Sequence, residues 1–221
     1  MKKDFVTAMT QGISPQGSHY YPTFPYTAYS GITGNDLADL WAYLRTVKPS
    51  QKPNKEHNVR FPISIRLSAK VWKLLFFSAM PYPENRGKDA IWNRGAYLVN
   101  ALGHCSECQN QRNIIGALKP KFMFSGTKEN AGLDASPNIT PDQASGIGSW
   151  SVTDLDWFLK TGFLPDGDVT GSSMADIIEH STSHLTDEDR RAMVLFLRAL
   201  RPIFNPEKVS QESSRDDYSD W

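Results

Sequence analysis

Cysteine is scarce in this chain: 221 residues hold two, Cys105 and Cys108. Two neighbouring cysteines cannot staple a chain of this length, which excludes a disulfide-framed scaffold. No second pair exists to complete a zinc ribbon. Net charge is also missing, since 24 Lys and Arg balance 24 Asp and Glu. A general nucleic-acid binder carries a basic excess, so that class is excluded as a partner. Long apolar runs are lacking as well. The most apolar stretch, Val71 to Met80, is too short for a bilayer and contains Lys73, so no transmembrane segment is predicted. Behind Met1-Lys2-Lys3-Asp4-Phe5 no apolar core follows, so no secretory signal is predicted. The chain therefore reads as cytoplasmic or as beginning inside a longer polypeptide. Mean hydropathy is −0.46 and hydrophobic residues make up 39%, which suits a globular protein.

The zero balance hides an asymmetry. Residues 1–91 hold 12 basic and 6 acidic residues, and residues 92–221 hold 12 and 18, giving +6 and −6. The basic excess lies mostly between Arg45 and Lys88. It reads as a solvated connector, with docking of an acidic partner as the alternative.

An internal repeat organises the chain. Thr33 to Pro49 (TGNDLADLWAYLRTVKP) matches Thr186 to Pro202 (TDEDRRAMVLFLRALRP) without a gap; 186 minus 33 gives an offset of 153. Each copy opens on Thr with Asp three residues on, close to a capping box. Each then places apolar residues at helical spacing, and each ends at Pro. Two units are expected. Further helices are predicted at Ala90 to Leu102 and Thr153 to Thr161, and a short apolar element at Leu67 to Phe77. Residues 123–150 are rich in Gly, Asn and Pro and lack periodicity. Strand signals are weak throughout. Short helices joined by long loops suit a domain folded around something large and apolar.

A Cys-x-x-Cys pair has three common uses. A redox dithiol prefers a βαβ setting, which is not visible here. Half of a metal site lacks its other half. The third use is thioether attachment of a c-type haem, where His follows the second Cys and ligates iron. Here Gln109 follows.

The surroundings favour the third. Trp92-Asn93-Arg94-Gly95-Ala96-Tyr97-Leu98-Val99, Gly103-His104-Cys105-Ser106-Glu107-Cys108 and Arg112-Asn113 resemble the c-type cytochromes. More closely, they resemble the multihaem cytochrome c subunits of bacterial membrane-bound alcohol and gluconate dehydrogenases, whose attachment segment reads GHC-x-x-CHTPRN. Pro137-Asn138-Ile139-Thr140-Pro141-Asp142, Gly146-Ile147-Gly148, Trp150-Ser151 and Asp154 resemble their loop around the haem edge. Met174-Ala175-Asp176 and Glu179-His180-Ser181 resemble the segment bearing the distal Met. In the first half, Gly12-Ile13-Ser14-Pro15, His19-Tyr20-Tyr21-Pro22, Phe24-Pro25-Tyr26 and Ala42-Tyr43-Leu44 resemble the end of a preceding unit. The resemblance covers roughly residues 4–204.

The resemblance implies an all-α fold of short helices and long loops around a haem site, preceded by the remnant of a second cytochrome c-like unit. The expected organisation is a remnant at 1–49, a connector at 50–89, a cytochrome c-like domain at 90–204 and a disordered tail at 205–221. It also implies an electron carrier rather than an enzyme. That carrier would pass single electrons from a dehydrogenase subunit to a downstream acceptor, in the periplasm or at a membrane. The cofactor is haem c, at most one in this chain, on Cys105 and Cys108. Met174, read as held in a Gly/Ser loop, is the distal iron ligand, and Gln109 occupies the proximal His position. Arg112, Asn138, Ile139 and Trp150 line the pocket. An amide is a poor iron ligand, and Gln111 replaces the Pro that supports the imidazole, so both change together. The alternative is a degenerate, haem-free cytochrome fragment acting as a structural or interaction module. Counting back 153 from Met174 reaches Tyr21, which is no iron ligand. His104 reads as a surface or hydrogen-bonded residue, and a thiol–disulfide enzyme is the remaining rival.

Overall fold

Among the described residues, four helix starts are set by a short polar side chain, Thr33, Asp89, Ser151 or Thr186, that caps a free N–H group. A computed structural model of the protein describes residues 2–55, 57–59, 61, 63–127 and 135–205. Regular structure among them is helical, with β structure limited to isolated bridges. The all-α expectation therefore holds. Two compact units are present. One comprises the described residues of Met1–Glu84 and Asn100–His104, the other those of Asn85–Val99 and Cys105–Trp221.

In the first unit lie α1 (Lys2–Gln11), the short α2 (Tyr26–Tyr29), α3 (Gly34–Leu44) and α4 (Arg66–Phe76). Helix α1 has no counterpart among the predicted helices. Its only buried residue is Met9, so its apolar periodicity is too weak to read. Thr33 caps α3 by accepting the N–H of Asp36. Phe5 stacks on Trp41 at 5.2 Å and fastens α1 to α3. Buried Tyr26 meets Phe77 edge-on at 5.0 Å. Lys73 points inward. Its ammonium donates to the carbonyls of Gln11 and Gly12 at the end of α1 and sits 4.9 Å from the Tyr26 ring. A cation at a helix C-terminus satisfies carbonyls that have no partner within the helix. Burial holds the Lys73 pKa below its ordinary value.

The second unit is built on α5 (Ala90–Tyr97), α7 (Val152–Thr161) and α9 (Asp187–Arg198), with short α6 (Ser106–Gln109) and α8 (Ser172–His180) between them. A π-helical turn, Leu98–Leu102, continues α5 and completes the helix predicted to Leu102. Ser151 and Asp154 form a full reciprocal capping box on α7, and Thr186 caps α9 by accepting from Asp189. Helix α9 buries Met193, Val194, Phe196 and Leu197. It packs across α5 and against α7. Phe196 takes Trp92 edge-on at 5.1 Å and Phe124 at 6.5 Å. Buried Arg190 pairs with Asp156 of α7 and Asp187, and donates to the Leu185 carbonyl at 2.6 Å.

The repeat reaches further in the structure than in the sequence. After α1, a turn bridges Ile13 to His19; after α7, one bridges Phe163 to Val169. Ser14 N–H bonds Ser18 O just as Leu164 N–H bonds Asp168 O, and Tyr20 to Gly12 matches Thr170 to Gly162. Gly12 and Gly162 both adopt positive φ, at 59° and 82°. Here 162 minus 12 gives an offset of 150 rather than 153. Three residues therefore separate the registers of the turn and of the last helix. That shift explains why a gapless comparison finds α3 and α9 but misses α1 and α7.

Candidate functional site

Cys105, Gln109 and Met174 all belong to the second unit. Cys105 is the N-cap of α6, anchored by its N–H on the Val99 carbonyl at 3.0 Å. Cys108 N–H and Gln109 N–H both reach back to the Cys105 carbonyl. The pair thus brackets a single helical turn. Both thiols are free; Cys108 is exposed and Cys105 half-buried. Burial pushes the Cys105 thiol up to about 12. Burial and the neighbouring Glu107 carboxylate also raise Cys108. A thiol–disulfide enzyme uses the opposite, a thiol with lowered pKa.

The residues following the pair are held by their own loop. Gln109 is half-buried, and its carbonyl accepts from Gly126 at 2.9 Å. Arg112 donates to the Gly116 carbonyl, the Glu107 carbonyl and the Glu107 carboxylate, at 2.8, 3.0 and 2.6 Å. It therefore locks α6 onto the turn at 112–118.

Asn138 is buried, and its amide is fully engaged inside the protein. It donates to Ser145 and to the Ile203 carbonyl, and accepts from the backbone and hydroxyl of Thr140. Asn205 is buried beside it, bonded to Ser145 and the Ser125 carbonyl. The remainder of the predicted tail, 206–221, lies outside the described residues. Ile139 is half-buried and pairs by backbone with Phe124. Trp150 packs edge-on against Phe158 at 5.4 Å, and its carbonyl accepts from Arg198 at 2.6 Å.

Met174 is half-buried and sits in the first turn of α8, not in a loop. The Gly-Ser-Ser run hides the helix start from sequence reading. Ala175 and Ile178 continue the inward side, and only Ile178 is fully buried. Counted at the offset of 150 set by the turns, Met174 corresponds to Phe24. Neither this count nor the one reaching Tyr21 offers the first unit a methionine. In that unit His104 takes positive φ, 38°, and stacks edge-on against Tyr29 at 5.4 Å. Among the described residues no three His, Cys, Asp or Glu side chains come together as a metal would require.

One residue near the pair has no sequence signal. Asn110 is 1% exposed, and neither polar atom of its side chain has a partner. A buried amide left in that state is costly and suits a site lined for a bound group with polar edges. The donor set fits haem attachment through the two free thiols. For the iron itself, Gln109 offers an amide in place of an imidazole.

No family model matches the sequence. Curated relatives do. A diheme cytochrome c-type protein from Cereibacter sphaeroides is 38% identical over 206 residues, covering 90% of this chain and 66% of the relative. The fructose dehydrogenase cytochrome subunit of Gluconobacter japonicus is 40% identical over 200 residues, covering 90% and 40%. The gluconate 2-dehydrogenase cytochrome c subunit of Pantoea cypripedii is 31% identical over 206 residues, covering 89% and 46%. Helical fold, paired thiols and these relatives agree: the chain belongs to the c-type cytochromes. Within them it is similar to the cytochrome c subunits of dehydrogenases, and it spans between 40% and 66% of the length of the three named.

Proposed function

We infer that this chain is a haem-bearing electron-transfer module of a dehydrogenase complex. It takes single electrons from a dehydrogenase subunit and passes them to a downstream acceptor, in the periplasm or at a membrane. The observation that carries this reading is the free Cys105 and Cys108 pair bracketing one turn behind Gly103-His104. Those two thiols would hold the haem as thioethers, limiting the chain to one covalently attached group. When bound, haem supplies one-electron cycling of its iron. Met174 would serve as the thioether ligand, which favours a raised reduction potential. Gln109 stands at the proximal position. Arg112 keeps the attachment turn fixed against 112–118, and the Asn138 cluster keeps the neighbouring loop closed. The first unit would be the remnant of a preceding cytochrome unit.

Expression with haem c maturation machinery tests this. A pyridine haemochrome spectrum and a mass increase of one haem per chain are expected, both abolished by Cys105→Ser combined with Cys108→Ser. A colourless chain under those conditions would sink the reading and favour the haem-free interaction module. Gln109 is the residue that keeps that second reading alive.

A further inference from the structure

The first unit displays an apolar surface that its own core does not use. On α4, Leu74, Leu75, Leu67 and Val71 are 77%, 68%, 63% and 50% exposed, while Ala69 and Lys73 face inward. At 3.6 residues per turn the four exposed side chains fall within an arc of about 100°. They form one stripe along the helix. Phe61, Ile63 and Ile65 just before the helix and Met80 after it are exposed as well. Isolated exposed apolar residues need no explanation, but a contiguous set of this size marks an interaction surface.

Charge decides what covers it. Lys70 flanks the stripe and is exposed. Arg66 lies one turn earlier on the same flank, over the Tyr21 ring at 4.6 Å. From His57 to Pro83 the chain contains no acidic residue, whereas Arg60, Arg66 and Lys70 are basic beside the inward-facing Lys73. Ahead of it lie Arg45, Lys48, Lys52 and Lys55. A protein groove would have to supply acidic contacts of matching shape. An anionic lipid surface needs only an apolar stripe with a basic border, which is what an interfacial helix presents.

We propose that α4 lies on an anionic membrane surface, with Leu67, Val71, Leu74 and Leu75 in the headgroup boundary and Lys70 on the lipid phosphates. Because this rests on the first unit alone, it stands or falls independently of haem attachment at Cys105 and Cys108.

Co-sedimentation of the full chain with vesicles tests it. Vesicles of phosphatidylglycerol and phosphatidylethanolamine are expected to bind the chain, and phosphatidylcholine vesicles to bind it at least tenfold more weakly. Added salt is expected to weaken the binding. Leu74→Asp with Leu75→Asp is expected to cut anionic-vesicle binding at least tenfold with an unchanged melting temperature. Lys70→Glu is expected to cut it severalfold. Equal binding by wild type and the double variant would overturn the proposal. So would concentration-dependent dimerisation without vesicle binding, which would assign the stripe to a second copy. A marked loss of melting temperature in the double variant would place the stripe inside the fold and overturn it too.

Discussion

Gly95 of α5 and Ala192 of α9 meet backbone to backbone: a Cβ built on Gly95 would lie 2.0 Å from the Ala192 carbonyl oxygen. No side chain can rotate away from such a contact. The helix pair that carries the second unit is therefore set by the absence of one methyl group. Gly95→Ala is expected to destabilise the fold by about 1–3 kcal/mol, as overpacking of a filled core does. A circular dichroism melt of the variant against wild type reads this directly, and an unchanged midpoint would contradict it.

The same helix pair carries a pH-sensitive link. Arg94 donates from Nε and Nη2 to the two carboxylate oxygens of Asp189 at 2.8 and 2.7 Å. Those bonds hold the Asp189 pKa below its ordinary value. A carboxylate depressed in the fold contributes stability above its unfolded pKa, about 4, and loses it as pH falls through the folded value. Asp189→Asn is thus expected to flatten the acid side of the stability profile below about pH 4 and leave its shape unchanged near neutrality. Urea midpoints across that range would show it. Because Arg94 is partly solvated, the effect stays within the size of a surface pair, under about 1 kcal/mol.

Thiol reactivity distinguishes the two cysteines. In the haem-free chain, Cys108 is exposed while the Cys105 thiol is held protonated to about 12. Alkylation near neutral pH is expected to be at least about tenfold slower at Cys105 than in the urea-unfolded chain, since only the thiolate reacts. Peptide mapping after a timed iodoacetamide pulse measures both sites. Equal labelling of Cys105 in folded and unfolded chains would contradict the raised pKa of its thiol.

Gln109→His restores an imidazole at the position next to Cys108. Under co-expression with maturation machinery, covalent haem per chain is expected to rise severalfold, read by the pyridine haemochrome assay. Identical yields from variant and wild type would show that the amide is no obstacle to loading.

Much of this was legible in the residues. Thr33 with Asp36 and Thr186 with Asp189 announce their caps because the signal is local, and the structure makes both bonds. The cysteine pair stood out in the sequence because two cysteines at that spacing have few uses, and the structure places both on one short helical turn. What escaped depends on tertiary partners. Lys73 looks like a solvent lysine in sequence, yet it finishes α1 from 61 and 62 positions away. Asn138, expected in the haem pocket by resemblance, spends its amide on Ser145, Thr140 and Ile203. In sequence Met174 looks like a loop residue because Gly171, Ser172 and Ser173 carry no helical pattern, although α8 begins at Ser172. Asn110 lies in a non-periodic stretch, where burial leaves no trace in composition.

The state of Cys105 also bears on timing. A half-buried thiol that is held protonated in the finished fold is a poor reactant there. Any enzyme that must bond to it has its best opportunity while the chain is still open. Biogenesis of a haem-bearing form would then run in a fixed order, modification first and packing second.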